Sequence, residues 1–284
     1  RGYKMSDRMT EKQRLMLGDL TAIIDRYSGV AEDMMDDLQD GFCGELFVDG
    51  YLAGNENRLH GLESFMGNGL TVAADRIAKP SDTYGGKSTE VGDQGGTWSS
   101  DLTLSPNASI ATDWPDGNGD AEYDFMSPKL VNWSSSNWGT SSATWENNCE
   151  RVFRQSTIWL SIGAGEEGKP DMYLTAGNLF YDYLNKQSSK QRIVIPHKGA
   201  QDLGFGDVLN QEGVMIQTDF DVPTDTSYGI NVDQLELASL DNVLFASRGP
   251  EYDIKTDSWL FMVGFFGNAR YNPKYFAKIK NFAT

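Results

Sequence analysis

Residues 6–38 place the tightest constraint on the fold: Met16, Leu20, Ile23, Tyr27, Val30, Met34 and Leu38 recur at spacings of four and three. That spacing puts them on one stripe of a 3.6-residue helix. It predicts a single helix over 6–38, about 50 Å long at 1.5 Å per residue. A compact small domain is narrower than this, so it cannot cover the whole apolar stripe. The element reads as a spine on which other layers, or other subunits, are laid. Ser6 or Asp7 is the expected N-cap. Gly18 and Gly29 each cost about 1 kcal/mol relative to Ala, so tertiary packing must hold the helix straight. Its last turns carry Glu32, Asp33, Asp36 and Asp37, which oppose the helix macrodipole. They form either a solvated acidic face or a subunit contact. For the second case the candidates are Asp33, Asp36 and Asp37 on one side and Arg270, Lys274, Lys278 and Lys280 of a neighbour on the other.

A formal charge of -17 argues against a nucleic-acid binder, because phosphate affinity comes from clustered Lys and Arg. At 39% hydrophobic and 12% aromatic, 284 residues can build one elaborate domain or two. Cys43 and Cys149 are too few for a disulfide framework. No secretory leader and no membrane-spanning apolar run is visible, so synthesis in a reducing cytosol is expected. The sequence opens on Arg1 rather than Met, which reads as a processed chain or an ordered fragment of a longer product.

Residues 66–148 change texture. This stretch is rich in Gly, Ser, Asn and Asp and predicts short strands joined by long loops. Helical periodicity returns over 142–162, with Trp145, Cys149, Val152, Phe153 and Trp159 as its apolar positions. Beyond Pro170, strands are expected at 172–174, 191–195, 214–218, 234–237 and 258–266, and a helix at 176–185.

The chemical motifs are weak. His60 and His197 are the two histidines, and neither stands at a ligand spacing from a cysteine. The string Tyr84-Gly85-Gly86-Lys87-Ser88 imitates the end of a phosphate-binding loop, but Ser81 replaces its first glycine and Pro80 stands where a strand should end. Asp113, Asp116, Asn118, Asp120 and Glu122 alternate as calcium ligands do. Counted from Asp116, however, the EF-hand glycine is Ala121 and the bidentate Glu is Ser127. No catalytic, cofactor-binding or metal-ligating set is therefore assigned. Trp98, Trp114, Trp133, Trp138 and Trp145 offer a carbohydrate-stacking platform, although core packing is the commoner use of Trp.

Several stretches, in their order along the chain, resemble tailed-bacteriophage major capsid proteins of the Hong Kong 97-type fold. The long first helix is similar to the family's spine helix, and Leu59-His60-Gly61-Leu62 to the short segment that follows it. Thr83 to Gly86, with Trp98 downstream, resembles a loop of one branch of the family. The runs 170–184, 218–223 and 228–231 resemble the axial domain, and 268–274, with Asn272 and Pro273, the return to the peripheral domain. The resemblance implies an α+β capsid fold with a spine helix and peripheral domain over 1–165, a loop-rich insertion near 66–148, an axial domain over 166–247 and a peripheral return over 248–284. It further implies a non-enzymatic subunit that self-assembles into hexamers and pentamers of an icosahedral head. Such a head encloses DNA without binding it specifically, is built in the host cytoplasm, and has scaffold, decoration and portal proteins as partners and no membrane. The family's N-terminal arm and extended loop precede the spine, and five residues precede it here, so no cross-linking residue is carried over. The alternative is a β-rich carbohydrate-binding or carbohydrate-active protein using the Trp-rich region.

Overall fold

The computed structural model describes residues 1–18, 20–67, 76–78, 80–90, 126–161, 165–188, 209–211 and 213–282. Along the chain run β1 (Gly2–Thr10), α1 (Glu11–Leu17), α2 (Leu20–Glu45), α3 (Glu63–Met66), β2 (Ile77–Ala78), β3 (Thr83–Tyr84), β4 (Lys87–Ser88) and β5 (Lys129–Asn132). Then come α4 (Trp145–Ser161), β6 (Met172–Thr175), α5 (Gly177–Ser188), β7 (Leu209–Gln211), β8 (Val214–Thr218) and β9 (Ser227–Ile230). The chain closes with β10 (Leu235–Ser239), β11 (Ala246–Asp253), β12 (Ser258–Tyr271) and β13 (Ala277–Lys280). Contacts divide it into one unit of residues 1–61 with 236–270 and a second of 62–235 with 271–284. The expected breaks at 165/166 and 247/248 do not coincide with these, because β6, β8, β9, β13 and β5 share one sheet and β11 pairs with β12 in the other.

The expected 6–38 helix is corrected in two ways. Residues 2–10 are extended, paired antiparallel with β12 from Gly2↔Phe266 to Thr10↔Ser258. A strand partner about 250 residues away is invisible to a local periodicity. The helix then starts at Thr10, whose Oγ1 accepts from Gln13 N while its own N–H donates to the Gln13 side chain, a reciprocal capping box. Gly18, expected to be tolerated inside the helix, ends α1 at φ +63°, a left-handed cap that glycine adopts without steric penalty. The spine proper is α2, 26 residues and so about 39 Å long. It buries Val30, Met34 and Leu38, with Tyr27 partly covered, against Met9, Phe261 and Val263 of the sheet, as the stripe predicts. Met16 is 78% exposed, while the side chains of Leu20 and Ile23 lie outside the described set.

One carboxylate ties the helix end to the following loop. Glu45, 8% exposed, accepts from the Tyr3 hydroxyl (2.7 Å), Arg58 Nε (2.8 Å) and the Leu59 backbone N–H (3.1 Å). Burial, then the bond to Glu45, pushes the Tyr3 phenol up to about 12. Gly61 sits beneath this knot, where a Cβ would strike backbone atoms of Glu45, Leu46 and Val48.

The second unit is built on a seven-stranded sheet in the order β2-β5-β13-β9-β6-β8-β7. β6 and β8 run parallel, and α5 lies between them in sequence. The periodic positions of α4 (Trp145, Cys149, Val152, Phe153 and Trp159) join Tyr173, Ile216, Val131 and Ile279 in the core, as expected. Tyr173 is held there by Ser156 and Thr157 hydroxyls at 2.5 and 2.9 Å. The expected strands at 172–174 and 214–218 and the helix at 176–185 are present as β6, β8 and α5. The strand expected at 258–266 extends to Tyr271, and Gln234 closes a 3-10 turn ahead of β10. The strand expected at 191–195 lies outside the described residues.

Candidate assembly surfaces

The phosphate-loop imitation is a hairpin turn. Gly85 and Gly86, at φ +58° and +76°, reverse the chain between β3 and β4, a turn whose two central residues both need positive φ. Tyr84 then packs with Phe65 and Tyr271, and its hydroxyl accepts from the Tyr271 N–H at 3.1 Å. The acidic loop 113–122, Trp98, Trp114 and His197 lie outside the described residues.

The stacking platform does not form from the described tryptophans. Trp138 and Trp145 are each 4% exposed, and their indole N–H groups donate to the Asn132 and Leu179 carbonyls, both at 2.8 Å. Trp133 packs partly buried against the same core. These rings belong to the core of the second unit, and no sugar face is left on Trp138 or Trp145.

His60 is a buried structural histidine. It is 6% exposed, its Nε2 lies 3.1 Å from the Arg1 guanidinium, and its ring meets that of Tyr51 at 4.2 Å. Burial, then the Arg1 charge, holds its pKa below 6.5. The folded state therefore keeps a neutral imidazole that the unfolded chain protonates. More protons are bound in the unfolded state over the interval just below 6.5, so stability falls there as pH falls. Between about pH 6.5 and about pH 5.5 the melting temperature of the wild type drops more steeply than that of His60→Gln, a difference of up to about 1 kcal/mol per pH unit. Parallel slopes in a thermal-melt series would contradict this account of His60.

The seven contact candidates fare differently, and Lys280 is half-buried at the end of β13. Asp33, Asp36 and Asp37 are all exposed on α2, together with Asp25, Glu32 and Asp40, away from the buried Val30, Met34 and Leu38. Arg270 is exposed and stands 3.8 Å from Glu236. Lys274, in the second unit, is half-buried with Nζ 5.6 Å from the centre of the Tyr275 ring. Lys278 corrects the expectation, since its side chain is 3% exposed and its Nζ pairs with Glu63 Oε2 at 2.6 Å. Glu63 also accepts from the Tyr228 hydroxyl. Ala277, Lys278 and Ile279 of β13 are all buried, so the strand is covered on both faces, which a sequence rich in tail lysines does not reveal.

A further surface was not signalled by the sequence analysis. Strand β12 is apolar on both faces: Phe261 and Val263 point to α2, while Leu260, Met262 and Phe266 point away from it. Pairing register sets Arg8, Ser6 and Lys4 of β1 beside Leu260, Met262 and Gly264 on that outer face, with Arg248 and Glu251 of β11 on the other flank. Leu260 and Phe266 are 37% and 44% exposed. The signal was an unbroken apolar run from Trp259 to Val263, where a half-buried strand would alternate.

No protein-family model matches the chain, and no curated protein matches it in sequence. Among solved structures it is similar to the capsid asymmetric unit of cyanophage A-1(L), with a TM-score of 0.56 and 14% identity over 99% of this chain and 76% of that one. It also aligns with the holo-SrpI encapsulin complex from Synechococcus elongatus PCC 7942, at a TM-score of 0.48 and 8% identity over 99% of this chain and 73% of that one. The mature capsid of bacteriophage PhiM1 aligns at 0.45 and 10% identity, over 99% and 70%. The first of these carries the fold assignment: the chain has the Hong Kong 97-type fold of tailed-phage major capsid proteins, with mixed helix and sheet along its length.

Proposed function

We propose that this chain is the repeating subunit of a tailed-phage head, a structural protein that self-assembles into a closed icosahedral shell around DNA. The observation that supports it best is the alignment of 99% of the chain with a cyanophage capsid subunit. In this reading the first unit, with α2 and the long β11–β12 hairpin, is the peripheral domain, and the second is the axial domain that gathers into pentamers and hexamers. The acidic balance of -17 suits a container that must hold DNA without gripping it. Asp33, Asp36 and Asp37, and separately Arg270 and Lys274, lie in subunit contacts, while Lys278 is committed to Glu63 inside one chain. Heterologous and two-fold contacts repeat over such a shell, so each can be modest while the lattice is stable. The virion capsid is the location, assembly takes place in the host cytoplasm, and scaffold, decoration and portal proteins are the partners. Velocity sedimentation of the protein from infected-cell lysate tests this: a discrete, fast-sedimenting species is expected, and a chain that stays monomeric there would overturn the reading.

A further inference from the structure

We infer that the outer face of the β1-β12-β11 sheet receives a second copy of this chain, which lays the acidic outer face of its α2 across it; this rests on the shell reading above. A strand that reads as a continuous apolar run is built to be buried on both sides. In β12 one side is covered by the chain's own α2, and the other leaves Leu260 and Phe266 exposed. Layered folds cover such a sheet on both faces. In each copy α2 already buries its apolar stripe against the inner face of its own sheet, so the side it can offer a neighbour is the charged one.

Charge selects the occupant. The apolar stripe is flanked by Lys4, Arg8 and Arg248 against Glu251 and Asp253, a net of about +1 in a chain that is -17 overall. The exposed side of α2 carries Asp25, Glu32, Asp33, Asp36, Asp37 and Asp40 against Arg26. Spacing agrees as well. Lys4 and Arg8 stand about 14 Å apart along the strand, and Glu32 and Asp40 about 12 Å apart along the helix. These cations suit the α2 carboxylates better than Arg270 and Lys274 do, since Arg270 already stands beside Glu236 and Lys274 lies against the Tyr275 ring. Each copy carries one face of each kind, so the contact is heterologous and repeats from copy to copy.

Two experiments test it on assembled particles. Carbodiimide joins amines to carboxylates in contact, and particles grown from mixed light- and heavy-nitrogen chains identify links between copies. Lys4 is expected to link to Asp33, Asp36, Asp37 or Asp40 of a different copy; links from Lys4 to other carboxylates alone would overturn the inference. Lys4→Glu with Arg8→Glu, and separately Asp36→Lys with Asp37→Lys, should each cut the particle yield by about tenfold or more, and combining all four should restore it to within about twofold. Recovery in the four-substitution chain excludes misfolding as the cause. Particles indifferent to the reversals would overturn this contact and leave the shell reading standing, whereas a wild-type chain that never assembles would overturn both.

Discussion

Replacing Gly61 by Ala disrupts the first unit, with an expected loss of about 3 kcal/mol, at the upper end of overpacking substitutions. The added Cβ would lie 2.5 Å from the Leu46 carbonyl oxygen and 2.6 Å from the Val48 nitrogen, and it would also strike the Glu45 carbonyl. All three obstacles are backbone atoms, so no rotamer change relieves them. Moving the backbone would break the Gly61 N–H bond to the Val48 carbonyl (2.9 Å) and disturb the bonds by which Glu45 holds Tyr3, Arg58 and Leu59. Gly41→Ala is the matched control. A Cβ there meets nothing within 4 Å, and the gain in helix propensity should stabilise α2 by about 0.5–1 kcal/mol. Chemical denaturation of the two variants should therefore move in opposite directions, and a Gly61→Ala chain as stable as wild type would refute the close approach.

Glu63→Ala is expected to cost the second unit about 3–5 kcal/mol, because it leaves the Lys278 ammonium buried without its partner. Lys278 is inside the second unit with its Nζ on Glu63, and Tyr228 donates to the same carboxylate. Burial, then the Glu63 charge, raises the Tyr228 phenol well above 10, so this hydroxyl stays a proton donor throughout the neutral range. Replacing all three polar groups at once removes the stranded charge as well as the pair. Glu63→Met with Lys278→Met and Tyr228→Phe should recover to within about 2 kcal/mol of wild type, since a buried ion pair returns little beyond its desolvation cost. Equal losses in the single and triple variants would show that shape, rather than charge, is what this site requires.

Local pattern made the second unit legible and misread the start of the first. The apolar positions of α4, from Trp145 to Trp159, and the strands β6 and β8 are set by periodicities within the segment itself. The partner of β1 is β12, some 250 residues away, and nothing within residues 2–10 records that pairing. Gly18 was read by its energetic cost, whereas its left-handed φ makes it the stop between α1 and α2. The acidic side of α2 was legible, because it is the complement of a helical stripe. The cationic sheet face was not, since Lys4 and Arg8 meet Arg248 and Glu251 only through strand register. Lys278 failed as a contact because β13 lies between β5 and β9 and is buried at 277, 278 and 279 alike, a pairing that nothing in the tail itself records.

The central claim is that the chain closes into a shell, and electron microscopy of the natively purified protein, with particle mass from light scattering, tests it most directly. The account predicts uniform closed particles whose mass is a large multiple of the 31.5 kDa calculated for this sequence. A monodisperse species of about one chain under every assembly condition would contradict it.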